Sequence, residues 1–183
     1  MEKYGIDKPD LRYNLELTTI TDIAKKSDFE IFKKADIVKV LVTEKAVGRK
    51  EIDSLIDFSQ KELGARGLAY MKFDGKILES SIVKYFPEKI QKELIGRLKL
   101  KKDSTVFFIA DRKKRVNEIL SSLRIELAKR LELIDKNKNE LRFCWITRFP
   151  LFEWNEEENK WDAMHHIFSH PTQDTEKYIE KDP

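Results

Sequence analysis

Val116, Ile119, Leu120, Leu123, Leu127 and Leu131 recur at three- and four-residue spacing. That spacing predicts one long helix with a single apolar stripe. Such a stripe must lie on an apolar surface, and the elements ahead of it supply one. Residues 37–42 are β-branched and apolar except for Lys39, which predicts a strand. In residues 49–63, Ile52, Leu55, Ile56 and Leu63 share a helical face, and Gly64 and Gly67 can end that helix. Residues 68–73 predict a second strand, Asp74-Gly75 a turn, and residues 77–86 its return. Pro87 suits the first position of a helix whose apolar face is Ile90, Leu94, Ile95 and Leu98. Residues 104–110 predict a third strand, and Asp111 is placed to cap the long helix. Strands alternating with amphipathic helices predict a sheet with helices packed on one face.

Residues 1–21 carry turn chemistry at Tyr4-Gly5 and Lys8-Pro9-Asp10, then the short alternating run 11–17. Alone this stretch has little to bury, which predicts a connector from a neighbouring domain. The polar run 135–140 is the best boundary on the other side. Beyond it, residues 142–154 predict a buried strand stopped at Pro150, followed by a turn rich in Asn and Glu. Residues 161–168 then predict a return strand that reaches His165 and His166. The expected organisation is a connector over 1–30, a central domain over 31–135 and a strand-and-loop segment over 136–183.

At 183 residues and 40% hydrophobic, the chain is long enough for one domain with its own core and some extra material. Charged residues reach 38%, above the roughly 25% of ordinary soluble domains. The 36 Lys and Arg nearly balance the 33 Asp and Glu, so overall charge does not by itself point to nucleic acid. Cys144 is the sole cysteine, so no intramolecular disulfide forms and a reducing cytoplasm is expected. No apolar run approaches the roughly 20 residues that span a bilayer, and the first ten residues lack the apolar core of a signal peptide.

Adjacent residues on a strand face opposite sides, so His165 and His166 cannot both face one ligand unless the backbone leaves the strand. An imidazole can donate a hydrogen bond to a carboxylate, but the residues alone read first as ordinary loop histidines. His165, His166 and His170 with Cys144 or Asp162 match no zinc template, and no metal site is expected. The basic runs at Lys99–Lys102 and at Arg112, Lys113, Lys114 and Arg115 read first as solvated faces. The second opens a helix, where N–H groups favour anions, so it is the candidate for RNA contact. The absence of interleaved aromatics argues against base stacking there. Phe143, Trp145, Phe149, Phe152, Trp154 and Trp161 are expected in a core. Within a detached segment they would lose the sheet they pack on, and would drive association.

Three phrases carry a family resemblance. They are Tyr4-Gly-Ile-Asp-Lys-Pro-Asp-Leu-Arg12, Gly67-Leu-Ala-Tyr-Met-Lys-Phe73 with Phe107-Phe-Ile-Ala-Asp-Arg-Lys-Lys114, and Arg142–Trp154 followed by Ala163-Met-His-His-Ile-Phe168. Together they resemble bacterial-type aspartyl-tRNA synthetases nearly end to end. The middle block resembles their GAD domain, an insertion within the catalytic domain. A related insertion occurs in the B subunit of tRNA-dependent amidotransferases. Ile6 stands where that family usually has Ser, and Ile167 where it usually has Pro.

The resemblance implies an α+β fold. Its antiparallel-type sheet would carry amphipathic helices on one face, flanked by pieces of a class II antiparallel catalytic sheet. It implies a homodimeric parent enzyme that activates aspartate with ATP and Mg2+ and transfers it to tRNA in the cytoplasm, without membrane or DNA partners. His165 would contact the substrate aspartate and His166 would support that loop. The class II runs that hold ATP, Phe-Arg-x-Glu and Gly-x-Gly-x-(Asp/Glu)-Arg, do not occur in the sequence. The expectation is therefore a middle segment, inactive alone and binding no cofactor itself. The rival expectations are a stand-alone GAD-like module that binds RNA or protein, and a basic metal-binding protein.

Overall fold

A computed structural model describes residues 2–135, 140–147, 150–155 and 157–164. The chain divides into two compact units, Met1–Trp145 and Ile146–Pro183. In the first, strands β1 (Thr18–Thr19), β2 (Ile37–Thr43), β3 (Ala69–Phe73), β4 (Leu78–Glu79) and β5 (Ser104–Asp111) form one sheet, interleaved with five helices. These are α1 (Thr21–Ala24), α2 (Glu30–Lys34), α3 (Arg49–Lys61), α4 (Glu88–Leu98) and α5 (Lys113–Arg130). The strand order is β1-β2-β5-β3-β4, and every neighbouring pair is antiparallel. The α+β class and the antiparallel sheet are those expected.

The helices lie on both faces of the sheet, a correction to the one-face expectation. Leu41, Phe107 and Ile109 point to one side, where they meet Ile52 and Leu55 of α3 and the α5 stripe. Val38, Val40, Met71, Phe73, Val106 and Phe108 point to the other, where Ile23, Phe32, Ile90 and Leu94 cover them. Phe32 stacks on Phe108 with ring centroids 5.7 Å apart. Burial on both faces is why β5 reads as the unbroken run Thr-Val-Phe-Phe-Ile rather than alternating. Helix periodicity reveals which face of each helix is apolar. It does not reveal which side of the sheet that helix takes.

Three local expectations are corrected. The return of β3 is short: β4 holds two residues, and Val83–Tyr85 is a 3-10 turn. There the Ser80 hydroxyl accepts the Ile82 N–H, which favours a turn over a ladder. Pro87 sits one position before α4 rather than in it. Asp111 remains in β5, and its carboxylate accepts the N–H of Arg112, so it does not cap α5. Residues 1–30 also bury more than expected: Tyr13, Leu15 and Leu17 alternate into the α5-side core.

In the second unit, β6 (Phe152–Asn155) and β7 (Lys160–Ala163) form an antiparallel hairpin. Trp154 pairs with Trp161, their rings edge-to-face at 5.4 Å. Residues 142–147 form no regular element, although a strand was expected there. Nor are the aromatics core. Phe143 and Trp145 are 89% and 95% exposed, and Phe152, Trp154 and Trp161 are also exposed, while Phe149 lies outside the described residues.

Candidate functional site around Arg124

A buried polar arrangement joins the N-terminal segment to α5. Residues 3–17 close on themselves: the Leu17 N–H donates to the Lys3 carbonyl at 2.7 Å, and the Tyr4 hydroxyl to Glu16 at 3.2 Å. Gly5 makes the close approach to the helix. Its φ is +72°, and a Cβ there would stand 2.5 Å from the Asn117 carbonyl oxygen. Only glycine adopts that conformation freely in so tight a gap.

Arg124 lies under this strap, 2% exposed. Its Nε donates to the Leu15 carbonyl at 2.6 Å and Nη1 to the Tyr13 hydroxyl at 3.1 Å. Nη2 donates to the carbonyls of Asp10 at 2.6 Å and Tyr13 at 3.2 Å. The guanidinium also stands 4.2 Å from the Tyr13 ring centroid and 4.8 Å from that of Tyr4, a cation–π distance for both. The planar fork satisfies several strap carbonyls at once, and these hydrogen bonds offset the cost of burying the charge. Beside it, Arg12 grips the Asp10 carboxylate with Nε at 3.0 Å and Nη2 at 2.7 Å, holding that carboxyl below the ordinary aspartate range. Burial pushes the Tyr4 and Tyr13 phenols up.

Lys39 is the second anchor. It shares the β2 face of Leu41, and its ammonium donates to the Glu2 carbonyl at 3.0 Å and the Asn117 amide oxygen at 2.8 Å. Burial pushes the Lys39 amine below the ordinary lysine range, and the charge of Lys113 adds to that.

A cavity of about 410 Å³ opens between strap and helix, with Ile6, Pro9, Ile125 and Ile134 on its walls and Lys8 and Lys129 among its lining. Two of its charged groups are already engaged within the chain. Every nitrogen of Arg124 is taken by the strap, and the Asp10 carboxylate is held by Arg12. Among the described residues, no three His, Cys, Asp or Glu side chains group to hold a metal.

The basic run is brought to the start of α5, with Arg112, Lys113, Lys114 and Arg115 exposed. Arg115 has structural work: Nη2 donates to the carbonyls of Leu63 and Gly64 beyond the end of α3, and Nη1 to Glu118. His165, His166 and His170 lie outside the described residues. Cys144 is exposed, on the irregular stretch 140–147. Sequence reasoning passed over Arg124. The available signal was an arginine four residues after Leu120 and three before Leu127, hence on the buried stripe.

Residues 30–120, from α2 into α5, match the GAD domain family. The whole chain around this match is also similar to curated proteins. An aspartate–tRNA(Asp/Asn) ligase of Hydrogenobaculum sp. is 44% identical over 182 residues, 97% of this chain and 30% of the relative. Aspartate–tRNA ligase 2 of Streptococcus mutans is 43% identical over 186 residues, covering all of this chain and 31% of the relative. The aspartate–tRNA(Asp/Asn) ligase of Rubrobacter xylanophilus is 41% identical over 189 residues, with the same coverage. The chain thus spans about three tenths of the length of these relatives. The strap and Arg124 fall outside the GAD domain match.

Proposed function

We propose that the chain is the GAD-containing segment of an aspartate–tRNA ligase. The observation that carries this reading is 44% identity to such a ligase over 97% of the chain, flanks included. A stand-alone GAD module would account for residues 30–120 and leave the similarity of the flanks unexplained. In this reading the parent is a cytoplasmic homodimer that activates aspartate with ATP and Mg2+ and transfers it to tRNA. ATP is held outside these residues, and the 183-residue chain alone activates no aspartate. His165 donates a hydrogen bond to the substrate carboxylate, His166 supports that loop, and the basic start of α5 is the candidate RNA contact.

Aspartate-dependent exchange of pyrophosphate into ATP tests the reading. The full-length parent should exchange, and the 183-residue chain should not. In the parent, losing one hydrogen bond to a charged group costs about 1.5–3 kcal/mol, so His165→Ala should lower kcat/KM for aspartate roughly ten- to a hundred-fold, with less change in the KM for ATP. Exchange by the isolated chain would refute its inactivity, and unaltered aspartate kinetics would refute the role of His165.

A further inference from the structure

We propose that Arg124 is a positioning residue: it fixes residues 3–17 as a strap on α5 that can loosen while the sheet stays folded. The inference stands without the ligase reading. The strap closes its own loop through Leu17 and Lys3, so it has internal structure. Its Asp10, Tyr13 and Leu15 carbonyls converge on one side chain from the second half of α5. That half-helix and the strap both lie outside the GAD domain match, yet both lie within the span shared with the full-length relatives. None of these bonds involves a strand of the sheet. The β2–β5 ladder and the core on the far face include no strap residue.

The geometry also says why the residue is arginine. Its three nitrogens reach acceptors on three different strap residues, with tyrosine rings beside the guanidinium. A lysine ammonium is a single point and cannot span them.

Hydrogen exchange on the 183-residue chain tests this, comparing the Leu17 amide with the Val40 and Phe108 amides of the central strands. Arg124→Met should speed exchange at Leu17 by on the order of tenfold or more while the central strands stay within about twofold, since bonds to a charged group are lost only at the strap. Arg124→Lys should fall between Met and wild type. Lys89→Met, at an exposed position of α4 on the other side of the sheet, should leave the strap unchanged. Equal acceleration of strap and sheet, or failure of Arg124→Met to fold, would overturn the proposal, because the residue would then support the whole core. An unchanged strap, or full restoration by lysine, would overturn it equally.

Discussion

Gly5→Ala and Gly96→Ala add the same methyl group and should act in opposite directions. Gly5 sits at φ +72°, where the left-handed conformation costs an L-residue about 1–2 kcal/mol. Its new Cβ would also stand 2.5 Å from the carbonyl oxygen of Asn117 and 3.1 Å from its carbon. That obstacle is helix backbone, held in the α5 ladder, so the strap must move instead. The displacement strains the Glu2 bond to Lys39 and the Tyr4 contact with Arg124. A total loss of about 2–3 kcal/mol follows, the upper part from those contacts. Gly96 lies within α4, and nothing comes within 4 Å of the position of its Cβ. There alanine should gain about 0.8–1 kcal/mol from helix propensity. At about 2–4 °C per kcal/mol for a unit of this size, Gly5→Ala should lower the Tm by about 4–12 °C and Gly96→Ala raise it by about 2–4 °C. Thermal unfolding followed by circular dichroism reads both. A Gly5→Ala protein as stable as wild type would refute the close approach of strap and helix.

Leu120 is fully buried at the centre of the α5 stripe, so Leu120→Ala should cost about 2–5 kcal/mol in urea unfolding; a loss under about 1 kcal/mol would mean that α5 is loosely packed. Tyr4 and Tyr13 have raised phenol pKa values in the folded chain, chiefly through burial. Their contribution is full below the unfolded value of about 10 and is lost as pH rises through the folded values. Lys39, lowered by burial, acts in the opposite sense and gains stability as pH rises past its folded value. The Tyr4→Phe/Tyr13→Phe double variant keeps Lys39, so it should lose less stability than wild type between about pH 9 and 11; identical pH profiles would refute the phenols' part.

The three long helices were legible because their apolar residues repeat at the 3.6 period that burial on one face imposes, and β2 and β5 because they are nearly unbroken apolar runs. The side of the sheet was not legible, since the same stripe serves either face. Arg124 was hidden for a related reason: stripe-reading counts apolar residues, while an arginine becomes core only when distant carbonyls reach it. Those carbonyls belong to residues more than 100 positions earlier in sequence. Residues 81–86 looked like a strand by composition, but local hydroxyl-to-backbone bonding at Ser80 won. The aromatics of residues 143–161 read as core because they are large and apolar, whereas most of their described surface is bare. Lys39 was noticed only as the one charge in its strand, and its role depends on a partner 78 positions later in sequence, Asn117 of α5.

The exposed Cys144 has a practical consequence. It is the chain's single cysteine, and it stands outside both sheets. A maleimide dye or spin label should therefore attach once per chain without touching the strap or the core. Oxidation in air can join chains only in pairs, because a joined chain has no second thiol to extend the polymer.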